Sequence, residues 1–145
     1  MQNQSPTPVP RFHLAFPVDD LMAARAFYKD LLGCPEGRSS DRWVDFDFYG
    51  HQLVAHLVDH DEDTPITNPV DGKMIPVRHF GLIIPWSEWE RLAARLRDAG
   101  TDFIVDPYIR FNGEAGEQGT FFVRDPAGNA LEFKTFRNED QIFAV

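Results

Sequence analysis

The chain has 145 residues, 43% of them hydrophobic with 13 phenylalanines, and a formal net charge of −9, which fits one globular domain with a real core. No apolar run approaches the roughly 18 residues of a membrane span, and the 14 basic residues form no dense run for phosphate backbones, so membrane and nucleic acid are excluded and a small-molecule partner remains. The single cysteine, Cys34, excludes an internal disulfide or a cysteine-rich metal cluster, and its place just past Gly33 suits a structural thiol.

Residues 1–10 are polar and proline-rich without the basic start and apolar stretch of a signal peptide, and read as a loose arm on a cytoplasmic protein. A first module over 11–58 opens with a strand at 11–18. Asp19 or Asp20 can cap a helix whose apolar stripe is Leu21, Ala24, Phe27, Tyr28, Leu31 and Leu32, and Gly33 stops it. Strands follow at 36–40, 42–49 and 51–58. Residues 59–76 are first acidic, then punctuated by Pro65, Pro69, Gly72 and Pro76, as a surface connection would be. The second module, 77–136, repeats the order: a strand at 77–84, a helix with Ser87 as N-cap and Glu90 three residues on, and Gly100 as its stop. Trp89, Leu92, Ala93 and Leu96 form that helix's buried face, and strands at 101–109, 119–124 and 129–136 precede a tail, 137–145.

The modules repeat each other in sequence. Phe12-His13-Leu14-Ala15-Phe16 returns as Arg78-His79-Phe80-Gly81-Leu82, and Gly50-His51-Gln52-Leu53 returns as Gly128-Asn129-Ala130-Leu131. The interval from His13 to Gly50 is 37 positions and from His79 to Gly128 it is 49, so the second module carries 12 more, expected as a longer loop around 107–118.

Strand side chains alternate between faces. Phe12, Leu14 and Phe16, like Phe80, Leu82 and Ile84, belong to the face a helix covers, as do Leu131 and Phe133. His13, His79 and Glu132 all fall on the opposite face, each with Ala or Gly two residues away. An unpaired carboxylate in so apolar a strand would be costly. Two imidazoles and one carboxylate can hold one side of a divalent ion and leave positions for water, substrate or oxygen. Iron(II) is the ion most associated with that set, and manganese, nickel, cobalt and zinc accept similar donors.

At these residues the chain resembles the vicinal oxygen chelate superfamily of glyoxalases, bleomycin-resistance proteins, extradiol dioxygenases, fosfomycin-resistance thiol transferases and methylmalonyl-CoA epimerase. The resemblance covers residues 11–136 and rests on two segments. Phe27-Tyr28-Lys29-Asp30-Leu31-Leu32-Gly33 is similar to the family's FYxxxLG, and Asp125-Pro126-Ala127-Gly128-Asn129-Ala130-Leu131-Glu132 to its DPxGNxxE. It implies an α+β fold of two tandem βαβββ modules forming a U-shaped, partly closed mixed sheet around a metal, with His13, His79 and Glu132 at the ligand positions. One departure bears on the reaction. Aligning Gly50 with Gly128 sets Val54 opposite Glu132, where glyoxalase I-like members carry a fourth ligand, usually a glutamate that also acts as base. Valine does neither, unless Gln52 or His56 reaches the metal through a shift in register.

These features imply a ring-cleaving, extradiol-type dioxygenase acting on a small oxygen-chelating substrate. The alternatives are a glyoxalase-like isomerase or fosfomycin-type thiol transferase, and a bleomycin-resistance-like binding protein without catalysis. His56 is the acid-base candidate by parity. Tyr108 and Arg110, which share a face, can bind an oxyanion or stack on a ring, or Arg110 can pair with acids of the inserted loop. Lys134 can meet an anionic substrate or offset the carboxylates, and His51 and His60 are assigned to solvent. Trp43 belongs to the outward face, the cavity or a subunit contact. Exposed edges and aromatics such as Trp86 and Trp89 point to a homodimer.

Overall fold

Each stretch of alternating residues that the sequence repeats becomes a strand, and each repeat closes on itself as β-α-β-β-β. The computed structural model describes residues 9, 11–59, 67–76 and 78–144, and the chain divides into two compact units between Asp59 and His60. Among the described residues no helix is long and apolar enough to cross a membrane.

In the first unit β1 (His13–Val18) leads to α1 (Leu21–Arg25), and three strands follow: β2 (Glu36–Ser39), β3 (Trp43–Phe48) and β4 (His51–Leu57). Their order is β1-β4-β3-β2, with β1 parallel to β4 and the other pairs antiparallel. Asp20 is the helix cap, its Oδ1 accepting the Ala23 N–H at 3.1 Å. The helix then widens into a π-helical stretch, Ala26–Leu31, in which Leu32 N–H reaches back to Phe27 O at 2.9 Å. Phe27, Tyr28 and Leu32 are buried while Leu31 is only half-buried. The Tyr28 ring packs against Phe16, Phe27 and Phe46, which ties helix to sheet. Cys34 is buried beneath this end, and burial, reinforced by the Asp47 charge, pushes its thiol up to about 12. It is a structural thiol, protonated and unreactive at neutral pH.

The second unit contains β5 (Thr67–Val70), β6 (Lys73–Pro76), β7 (His79–Ile83), α2 (Trp86–Asp98), β8 (Val105–Arg110), β9 (Gln118–Arg124) and β10 (Ala130–Phe136). Its main sheet repeats the first in the order β7-β10-β9-β8. Trp89 anchors α2 by donating its indole N–H to Phe133 O at 2.9 Å in the buried layer. The fold is therefore α+β, two βαβββ modules each with its own mixed sheet. Half of the 12 further residues of the second module appear as a longer β8 and a loop at 111–117, which Glu117 closes by accepting the Gly113 N–H at 2.9 Å, and the rest are spread over the helix segment, β9 and the turn before β10 rather than lying around 107–118.

Five expectations are corrected. The connection at 59–76 is not all loop: Thr67–Val70 and Lys73–Pro76 pair as a hairpin around Asp71 and Gly72, both in the left-handed region at φ 50 and 74. An Asp-Gly turn of that kind matches the twist of paired strands. Ser87 is not the N-cap of α2. Pro85 takes that place without a side-chain cap, and Glu90 instead accepts the Trp86 indole N–H at 2.9 Å. Trp89 is core rather than partner surface, and Phe12 is exposed rather than core, because regular pairing of β1 begins one residue after it. His51 is half-buried, its Nδ1 accepting the Phe12 N–H at 2.9 Å. His60 lies outside the described residues.

The tightest approach in the second module is between β7 and β10. Gly81 pairs with Glu132, and a Cβ built on Gly81 would overlap the Glu132 carbonyl oxygen. In the first module the same register position holds Ala15, paired with Val54. Gly81→Ala is therefore expected to force β10 aside and destabilise the protein by about 1–3 kcal/mol, read as a lowered urea midpoint. Ala15→Gly, which only loosens a strand, should cost about 0.5–1 kcal/mol. Equal effects of the two would contradict this packing.

Candidate metal centre

Glu132 owes its direction to a turn two residues before β10. Asp125 Oδ1 accepts the backbone N–H groups of Ala127 at 3.1 Å and Asn129 at 2.7 Å, and Oδ2 accepts the Asn129 side-chain amide at 2.8 Å. This carboxylate-held turn starts β10 in the phase that puts Leu131, Phe133 and Thr135 in the core and Ala130, Glu132 and Lys134 on the face α2 leaves uncovered.

On that face the structure brings His79 and Glu132 together, His79 Nε2 lying 3.1 Å from Glu132 Oε2. The other ring nitrogen, Nδ1, is 2.6 Å from Pro76 O. A carbonyl only accepts, so Nδ1 carries the proton and donates it. Nε2 then faces the carboxylate either as a lone pair or as a second N–H. Two acceptors this close repel, so positive charge belongs between them, as a proton or a metal ion. Thr120 donates its hydroxyl to Glu132 Oε1 at 2.7 Å and fixes the other half of the carboxylate. Phe122 meets the His79 ring edge-on at 5.0 Å. A backbone acceptor behind a histidine and a hydroxyl behind a carboxylate are the supports that metal ligands use, and the pair fits a divalent ion.

His13 stands in the first module at the register position of His79: His13 pairs with Gln52 as His79 pairs with Ala130. Trp43, Gln52, Val54 and His56 share its face, with His56 opposite Pro17 and Trp43. The pairing of β4 with both neighbours is unbroken, so no slip carries Gln52 or His56 into the place of Glu132; Val54 holds it. Gln52 donates to Asp45 at 3.2 Å. Within neither unit taken by itself do three His, Cys, Asp or Glu side chains among the described residues form a metal-binding group.

Tyr108 and Arg110 lie on the same face of the second sheet as Glu132, Tyr108 paired with Thr120 and Arg110 with Gln118. Arg110 pairs not with the inserted loop's acids but with Asp71 at the hairpin tip, Nε to Oδ2 at 2.7 Å. Glu117 of that loop pairs instead with Arg137 at 3.3 Å. The Tyr108 hydroxyl donates to the same Asp71 oxygen at 2.9 Å, and Lys73 Nζ sits 4.2 Å from the Tyr108 ring centroid. Ile75 of β6 packs with Val105 and Phe122, so the hairpin covers part of this face. Lys134 lies over the Phe136 ring at 5.6 Å.

Thr120, Asp71, Lys73 and the Pro76 carbonyl were not found by sequence reasoning. Asp71 had a signal, the Asp-Gly pair between two strand-like runs. Thr120 had none, because its reach to Glu132 depends on the β9–β10 register.

A family model for the Glyoxalase/Bleomycin resistance protein/Dioxygenase superfamily matches residues 12–133. Among solved structures, the chain is similar to a glyoxalase/bleomycin resistance protein/dioxygenase from Alicyclobacillus acidocaldarius, at 33% identity and a TM-score of 0.77 over 96% of this chain and 100% of that one. It also shares its fold with a lactoylglutathione lyase from Agrobacterium tumefaciens, at 22% identity and a TM-score of 0.61 over 90% and 96% of the two chains. A third likeness is the fosfomycin resistance protein FosX from Listeria monocytogenes, at 17% identity and a TM-score of 0.68 over 94% and 100%. No curated protein matches the chain.

The Asp71 contacts predict a pH signature. Burial, then the hydrogen bond to Asp71, raises the Tyr108 phenol above its ordinary value. The hydrogen bond from Tyr108, outweighing desolvation with help from Arg110 and Lys73, lowers the Asp71 carboxyl. The Tyr108 contribution to stability is complete below the unfolded phenol value of about 10 and is lost as pH rises through the folded value. The Asp71 contribution is present above the ordinary carboxylate range and lost as pH falls through the folded value. In an ultraviolet titration a tyrosine step lying above the ordinary phenol value should vanish in Tyr108→Phe, and Asp71→Asn should move that step to lower pH.

Proposed function

Because the chain belongs to the Glyoxalase/Bleomycin resistance protein/Dioxygenase superfamily, we propose that it is a metal-dependent enzyme of the extradiol dioxygenase type. In this reading His13, His79 and Glu132 hold the ion, iron(II) by its donor set, and the substrate is a small molecule that chelates through two oxygens. The observation that carries the reading is the His79–Glu132 pair, Nε2 and Oε2 3.1 Å apart with each side chain held from behind.

A divalent ion bound there supplies Lewis acidity and, for ring cleavage, a path for electrons between substrate and oxygen. The chain's residues do the rest. Pro76 O keeps the His79 proton on Nδ1, and Thr120 turns Glu132 so that Oε2 faces Nε2. Val54, where a fourth ligand and base would stand, adds neither donor nor proton acceptor, which favours open positions for substrate over a four-ligand isomerase. His56 is the proposed proton carrier, on the face of the first module that also carries His13. Tyr108 and Arg110 orient the substrate from the second module. Their suitability for an anionic group favours, as a second reading, a redox-neutral thiol transferase. The proposal keeps a cytoplasmic homodimer, supported by the exposed apolar residues Phe12, Met22 and Met74.

Protein purified without chelators should contain near-stoichiometric metal, and His13→Ala, His79→Ala and Glu132→Ala should each lose it. Thr120→Val should weaken metal affinity by about 10- to 100-fold without unfolding the chain, as circular dichroism would verify. Oxygen uptake with iron(II) and catechols separates ring cleavage from thiol transfer. Equal metal content in the parent and ligand variants would overturn the site, and stoichiometric aromatic binding that survives chelation would favour a binding protein.

A further inference from the structure

Hairpin β5–β6 sets a carboxylate against Tyr108 and Arg110 of β8. Asp71 stands at its tip, in the left-handed region beside Gly72, with 42% of its side chain exposed. One of its oxygens, Oδ2, serves both the Tyr108 hydroxyl at 2.9 Å and the Arg110 Nε at 2.7 Å. The contact with Arg110 is close but poorly aimed. Arg110 Nε is buried and makes no hydrogen bond of acceptable angle, so the pairing is ionic and leaves the N–H unsatisfied. A guanidinium fork matches both oxygens of a carboxylate, and a surface turn that reaches it with one oxygen uses only part of what it offers. Lys73 adds a second positive charge against the Tyr108 ring. The donors also lie close to the candidate metal ligands: Tyr108 pairs with Thr120, the residue whose hydroxyl holds Glu132.

We propose that Tyr108 and Arg110 form a carboxylate-binding subsite beside the His79–Glu132 pair, and that Asp71 fills it as an internal stand-in which a substrate carboxylate displaces. The substrate class is then a small chelating molecule that also carries a carboxylate, and hairpin β5–β6 is a self-inhibiting element whose tip withdraws on binding. That assignment of substrate rests on the proposed enzymatic reading, but the subsite itself does not require metal and is tested without it.

Benzoate titrated into chelator-treated protein, followed by calorimetry or amide chemical shifts, is the probe. Asp71→Asn keeps a residue that tolerates the left-handed turn and removes the competing charge. It should bind benzoate about tenfold more tightly than the parent, because the site no longer has to be emptied first. Arg110→Gln in the Asp71→Asn background should abolish the gain. In the parent protein, saturating benzoate should return the Asp71 carboxyl, followed by its side-chain carbon shift, toward an ordinary carboxylate titration, a readout that does not depend on any variant folding. Inorganic phosphate should compete weakly, since the site is built around a planar group. No benzoate binding, no gain in Asp71→Asn, a gain that survives loss of Arg110, or an Asp71 titration unmoved at saturation would each overturn the proposal. Loss of metal from the ligand variants bears on the metal site alone, so the two ideas fail separately.

Discussion

The second module turns on one close approach, the parallel pairing of β7 with β10 at Gly81 and Glu132. With no Cβ on Gly81, the two backbones lie where a side chain would collide with the Glu132 carbonyl. That register puts His79, two residues earlier on the same face, within reach of the Glu132 carboxylate. The Asp125 turn sets the phase of β10, Thr120 sets the rotation of the carboxylate, and Pro76 O sets the tautomer of the imidazole. Each support acts on an atom whose position is already limited by the strand pairing, so geometry at the centre is inherited from the sheet.

Duplication has left the modules alike in backbone and unlike in chemistry. Ala15 opposite Val54 stands where Gly81 stands opposite Glu132. The first module therefore offers His13 and His56 on a face with Val54 at the register position of Glu132, while the second offers the paired imidazole and carboxylate. The hairpin sharpens the difference. Its Ile75 packs on Val105 and Phe122 and makes β9 buried on both faces, which explains why Gln118 to Val123 show no alternation in exposure. A half-open sheet face with a carboxylate at its centre is partly closed by a segment that supplies a carboxylate of its own.

That second carboxylate shows how a binding surface can be stable before any ligand arrives. Tyr108 and Arg110 are aimed at the same side of the sheet as Glu132, and without a counter-charge Arg110 would leave a half-buried cation unpaired. Asp71 supplies the charge from an exposed turn, where a surface ion pair is worth little and exchanges readily. A pairing of that strength holds the donors in place without excluding a better-fitting anion.

Hydrophobic periodicity determined the βαβββ repeat, the helix-covered and uncovered faces and the side on which His13, His79 and Glu132 lie, because alternation in a strand is a property of the chain itself, while the superfamily was legible in the motif segments at 27–33 and 125–132. The Gly33 stop, the Val54–Glu132 correspondence and a cap at Asp19 or Asp20 were legible for the same local reason, and the structure chose Asp20. The tertiary structure decided what depends on partners: that Phe12 escapes the core, that Pro85 rather than Ser87 opens α2, and that 67–76 becomes a hairpin over Phe122. It also decided that Thr120 holds Glu132 and that Asp71, not the inserted loop, neutralises Arg110. Those outcomes are set by cross-strand register and by contacts between segments far apart in the chain, and a one-dimensional pattern carries the period of a strand but not the identity of its neighbour.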